Sequence, residues 1–139
     1  MSYEEKGTWV YLVVSLVAYV AYLIRLFDLS TGRDLVDTPY TAALLWAVGV
    51  SVVSAVVGRV VLEVVKPSDR HRGDVRDKEI DRRGEYFGGL LVGVGMVLPF
   101  GLALAEARHF WIANAMYAVF TLGAVVGSLI KLHAYRRGF

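Results

Sequence analysis

Glu106 and His109 have the Glu-x-x-His spacing that places a carboxylate and an imidazole on one face of a helix, the pattern found in di-iron helical bundles. That chemistry needs a second such pair and further carboxylates in the bundle core, and the chain has one copy, at the edge of an apolar segment. Arg59 and Glu63 are four apart, so on a helix they share a face and can neutralise each other. The densest charge lies in GDVRDKEIDRRGEYFGG, Gly73 to Gly89, where acids and bases almost balance. There is no cysteine, which excludes disulfides, thiol catalysis and cysteine metal sites. His109 is separated from His71 and His133 by most of an apolar segment, so no two histidines form an axial pair for haem. No spacing suggests a nucleophile with its base. The expectation is a protein without metal or cofactor that is not an enzyme.

The elements that must carry these residues are apolar. Of 139 residues 56% are hydrophobic, above the usual share for soluble domains. They fall in four blocks, about 9–27, 40–65, 87–105 and 110–135, each near the roughly 20 residues a bilayer-spanning helix needs. The blocks are apolar nearly all round, whereas a soluble bundle would show polar positions every three or four residues. Glu4 and Glu5 precede the first block where a signal peptide would carry bases, and no small-residue cleavage site follows, so it reads as a span. The chain is expected to be a single all-α domain, residues 1–139, forming a four-helix transmembrane bundle.

Four spans place the termini and the 66–86 loop on one side. Of the 15 Lys and Arg, only Arg25, Arg33 and Arg108 fall on the other side, and Arg59 lies within a span. The positive-inside rule puts both termini and the loop in the cytoplasm.

Within span 3, Gly89 and Gly93 have the GxxxG spacing that lets another helix approach closely, and Gly123 and Gly127 repeat it in span 4. These faces could meet each other or a second copy, giving a homodimer. Pro99 removes a hydrogen bond and crowds the carbonyl of Gly95, so a kink is expected there. Asn114 sits one turn inside span 4 and is expected to hydrogen-bond to another helix. Trp9, Phe110 and Trp111 read as interfacial anchors. Lys131, Arg136 and Arg137 can reach anionic lipid headgroups.

In the charged stretch, Asp74 with Lys78 and Glu79 with Arg83 are acid-first pairs four apart, favouring a helix from Asp74 that runs on into span 3. Arg76, Asp77 and Glu85 add to its polar surface. The near-balance of charge argues against nucleic acid, whose partners are net basic.

The run DVRDKEIDRRGEYFG is similar to a D-x-R-D-x-x-I-x-R-x-G element of small, mostly uncharacterised bacterial membrane proteins with four spans, in which it also precedes span 3. HFWIANAMY and the closing YRRGF resemble that family's other two blocks; the spans between match only as spans. The resemblance implies the four-span fold, a bacterial cytoplasmic membrane and, through neighbouring helix-turn-helix regulators, a regulatory setting. It marks Asp74, Arg76, Asp77, Ile80, Arg83, Gly84 and Glu85 and implies no catalytic role for them. The function expected is therefore a sensing, regulatory or partner-binding membrane module whose charged cytoplasmic helix meets a cytosolic protein. A small homodimeric transporter or efflux protein is the alternative. The candidate polar site is Arg59, Glu63, Asp74, Arg76, Asp77, Glu79, Arg83, Glu85 and Lys131, with Glu106, His109 and Asn114 in the outer hairpin.

Overall fold

The computed structural model describes residues 3–65 and 75–137, apart from the side chains of Tyr3, Arg59, Leu62 and Glu63. Helix α1 spans Tyr3–Leu29, α2 Thr41–Val65, α3 Val75–Gly95, α4 Val97–Leu104 and α5 His109–Arg137, with a single 3-10 turn at Leu35–Asp37. The stretches Glu4–Leu29, Thr41–Gly58, Val75–Leu104 and His109–Arg137 are each long and apolar enough to cross a membrane. Their outer surface is apolar: Trp46 is 74% exposed, Val64 72%, Ile24 66% and Phe100 64%.

Glu4 and Glu5 stand in the first turn of α1, where a carboxylate meets the positive end of the helix dipole. Gly32, at φ 77°, takes the left-handed conformation that turns the chain after α1. Helix α3 starts at Val75 and carries the charged sequence without a break into the apolar one. Asp74 and the 66–73 segment lie outside the described residues. The helical run is interrupted at Met96, three residues before Pro99, whose missing N–H leaves the Gly95 carbonyl without its usual partner. The chain re-enters a helix at once, because Met96 still donates to Val92 and Phe100 to Met96.

Helix α4 ends in a Schellman motif. Ala107 N donates to Leu102 O at 2.9 Å, and Glu106 N to Ala103 O at 3.1 Å. The left-handed residue of that motif is Glu106, at φ 54°, where glycine is the unstrained choice. Its position is thus accounted for by the turn between α4 and α5.

Helix α5 is the centre of the fold. It packs against α3, α4 and α1, and α1 packs against α2. The neighbours therefore run α2, α1, α5, α3, and α2 and α3 do not close the ring. At the hairpin end, Tyr22, Leu26, Phe110 and Tyr117 form a buried cluster, with Tyr40, Ala43, Leu44 and Ala47 packed against it. Tyr117 meets Tyr19 and Tyr22 edge-on, with centroids 5.2 and 5.4 Å apart, and Tyr40 meets Phe110 at 5.1 Å. The Tyr22 hydroxyl donates to Asn114 Oδ1 at 2.6 Å, and Asn114 Nδ2 donates to the Phe110 carbonyl at 2.8 Å. Tyr22 and Asn114 thus satisfy each other's polar groups across two helices.

Toward the termini, contact between α3 and α5 passes through glycine. A Cβ at Gly88 would lie 2.9 Å from the Gly123 carbonyl oxygen, and one at Gly127 2.9 Å from that of Gly84. These obstacles are backbone and cannot rotate away. The packing face of α3 is therefore Gly84 and Gly88, continued by Gly95 against Val119. The expected pair, Gly89 and Gly93, points elsewhere and meets nothing within 4 Å. The partner pair on α5, Gly123 and Gly127, is the expected one. The reason is register: Ile80, Gly84 and Gly88 recur every four residues on the buried stripe of α3, and Gly89 is one position round the helix.

Gly88→Ala is expected to destabilise the protein by about 1–3 kcal/mol, the usual cost of overpacking, while Gly89→Ala leaves it unchanged or slightly more stable; denaturant unfolding in detergent compares the two. In the same assay, Glu106→Gly should stabilise by about 1 kcal/mol by relieving the left-handed strain.

Candidate functional site

Both described chain ends, the last turns of α2 and the charged half of α3 gather at one end of the bundle. The helical register of α3 puts Ile80, Gly84 and Gly88 against α5, and Ile80 is 1% exposed. Asp81 and Glu85 flank that stripe. From α5, the Lys131 stem crosses the space left by Gly84, and its ammonium pairs with the Asp81 carboxylate and lies 3.8 Å from Glu85 Oε1. Lys131 can reach these carboxylates only because position 84 has no side chain.

The other candidates in α3 take different roles. Arg76 Nη2 donates to the Ala134 carbonyl at 3.5 Å, near the C-terminus of α5 where a cation is favoured. Glu79 and Arg83 form the expected intrahelical pair at 3.8 Å, both about half exposed. Asp77 is half-buried beside the end of α5. On the far side of α5, Arg136 stands 3.9 Å from Glu5 and 5.6 Å over the Trp9 ring. Glu5 is 8% exposed, so its charge is held in place by that contact. Arg59 and Glu63 lie on α2 toward this end, but their side chains, like all of Asp74, fall outside the described residues.

The structure thus brings together Lys131, Glu85 and Arg76 around the α3–α5 seam and adds Asp81 there, with Glu4 of α1 nearby, neither of which was among the candidate site residues. Asp81 gave no local signal, since its partner Lys131 lies fifty residues on and the stripe it flanks is one of several four-residue glycine spacings in α3. Glu106, His109 and Asn114 are at the opposite end of the bundle. Asn114 belongs to the aromatic core, and His109 opens α5 beside Arg108, which pairs with Asp37 at 2.8 Å. Among the described residues no three His, Asp or Glu side chains are grouped so as to hold a metal ion.

Among the described residues α2 and α3 share little contact, and a cavity of about 610 Å³ opens between them. Its walls come from four helices: Val10 and Val14 of α1, Ser54 and Gly58 of α2, Gly88 and Val92 of α3, and Phe120 and Ser128 of α5. Glu4, Asp81, Glu85 and Lys131 stand at its terminal end. Toward the hairpin the tyrosine and phenylalanine cluster fills the bundle, so the space is a vestibule at one end.

No family model, curated protein or solved structure matches the chain.

The partly buried Lys131–Asp81 pair should couple more strongly than the exposed Arg83–Glu79 pair. A double-mutant cycle with Lys131→Met and Asp81→Asn is expected to give about 1 kcal/mol, against roughly 0.3 kcal/mol for Arg83→Met with Glu79→Gln, measured by unfolding in detergent.

Proposed function

We propose that this protein is a non-enzymatic, multi-pass protein of a bacterial cytoplasmic membrane, a sensing or regulatory module that presents the charged half of α3 to a cytosolic partner. The observation that carries this reading is the docking of that half. It is a helix fixed to α5 by the glycine contacts, by Lys131 and by Arg76, and it holds Lys78, Glu79, Arg82 and Arg83 exposed on one rigid surface. A connector between two spans has no need of such bracing. The excess of Lys and Arg on the side of the termini supports a cytoplasmic position for both termini and for α3. Lys131, Arg136 and Arg137 at the same level suit anionic lipid headgroups. The likeness of DVRDKEIDRRGEYFG to the charged element of small four-span bacterial membrane proteins supports the setting.

A second reading, a small transporter working as a homodimer, is favoured by one feature: the vestibule is open at the charged end and stopped by aromatic side chains at the other. That is the arrangement expected of a pathway open to one side of a membrane. Four spans would need a second copy to complete it.

The absence of cysteine makes the first reading directly testable. Single cysteines placed at Ser30 and at Lys78 should react with a membrane-impermeant maleimide from opposite sides of the membrane in intact cells, Ser30 from outside. A photo-crosslinking residue at Arg82 should then give one discrete protein adduct, lost when Arg76, Asp77 and Arg83 are reversed in charge together. Labelling of Lys78 from outside, or no adduct from a correctly inserted protein, would overturn it.

A further inference from the structure

The vestibule between α2 and α3 has a chemistry that the partner-binding reading does not use. Its described lining carries three carboxylates, Glu4, Asp81 and Glu85, against the single ammonium of Lys131. The excess is negative, and it lies at one end of a space whose deeper walls are apolar: Val14, Val92 and Phe120. The volume, about 610 Å³, is that of a small-molecule site rather than a packing defect. It is left where α2 and α3 share little contact among the described residues and where Gly58 and Gly89 put no side chain into the gap.

These features select among ligands. An anion would face three carboxylates, with the one ammonium already engaged by Asp81 and Glu85. A bare metal ion would leave the apolar walls unused, and the carboxylates are not grouped to ligate one. A neutral hydrocarbon would leave the charged end unmatched. What fits both ends is an amphipathic organic cation, with one positive head at Glu4 and Glu85 and an apolar body against Val14, Val92 and Phe120. The unclosed side between α2 and α3 gives it an entry from the bilayer, where such molecules concentrate.

We propose that this vestibule is a binding site for lipophilic organic cations, entered laterally between α2 and α3. The site stands independently of whether α3 also meets a cytosolic partner. Occupation places a positive charge beside Asp81 and Glu85, so it competes with Lys131 for them and loosens the link from α5 to α3. Binding in the membrane is thereby coupled to the posture of the charged helix.

The test uses the full-length protein in nanodiscs of zwitterionic lipid, with protein-free nanodiscs as the partition control. Tetraphenylphosphonium is the probe, and tetraphenylborate is its counterpart of the same shape and opposite charge. Saturable binding of the phosphonium, approaching one per chain above the control, is expected, with no saturable binding of the borate. Glu4→Gln with Glu85→Gln should weaken it roughly tenfold, a change of about 1.4 kcal/mol. Lys131→Met, which removes the competing ammonium and keeps the stem over Gly84, should tighten it. Ser54→Phe fills the space from α2, a helix with no buried residue in its apolar window, and should abolish binding while leaving the unfolding midpoint in place. Binding no greater than in empty nanodiscs, equal saturable binding of the borate, or phosphonium binding indifferent to Ser54→Phe would each overturn the proposal.

Discussion

The fold depends on the backbone-to-backbone approach of α3 and α5. At Gly84, Gly88, Gly123 and Gly127 the two helices come so close that a single added methyl would meet a carbonyl oxygen. In a bilayer such an approach matters more than it does in water. Lipid chains are as apolar as leucine, so helices associate through close dispersion contact rather than through release of water. The same approach fixes everything at the charged end. It leaves the channel over Gly84 through which Lys131 reaches Asp81, and it sets Arg76 over the end of α5. The helix charges are therefore held by the apolar part of the structure, not the reverse.

The two ends of the bundle use different physics. At the hairpin end, large aromatic rings fill space and satisfy their own polar atoms, with Tyr22 and Asn114 as the clearest case. At the other end, small residues bring two helices together and keep the remaining two apart, and space is left. Such a division fits a molecule with one fixed end and one working end. The Tyr117 hydroxyl is the exception: it is buried in the packed half without a partner meeting hydrogen-bond geometry, near the Ser51 hydroxyl of α2.

Much of the helical architecture was legible because length and hydropathy alone decide it. The four apolar blocks became helices long enough to cross a membrane, and the acid-first Glu79–Arg83 spacing indicated a helix continuous with the third block, while Asp74 lies outside the described residues. The interruption near Pro99 was likewise readable from one missing donor. The packing face of α3 was not. Glycines at 84, 88, 89, 93 and 95 offer more than one four-residue spacing, and only the position of Ile80 and of the partner helix selects 84 and 88. Asp81 was overlooked for a related reason. Its role arises from Lys131, fifty residues on, and no local pattern joins the two. The cavity was beyond any periodicity argument, since it results from how little α2 and α3 touch among the described residues.

Helix α2 illustrates what that sparse contact does. Its first turns are gripped by the aromatic cluster through Ala43, Leu44 and Ala47, while none of its apolar window from Thr41 to Gly58 is buried within the protein. It is in effect a lever hinged at one end, whose long arm would rest on lipid in a bilayer. The angle of such an arm is set by lateral pressure and by the match of its length to bilayer thickness. In a bilayer, the width of the space beside α3 would then depend on the membrane as well as on the protein.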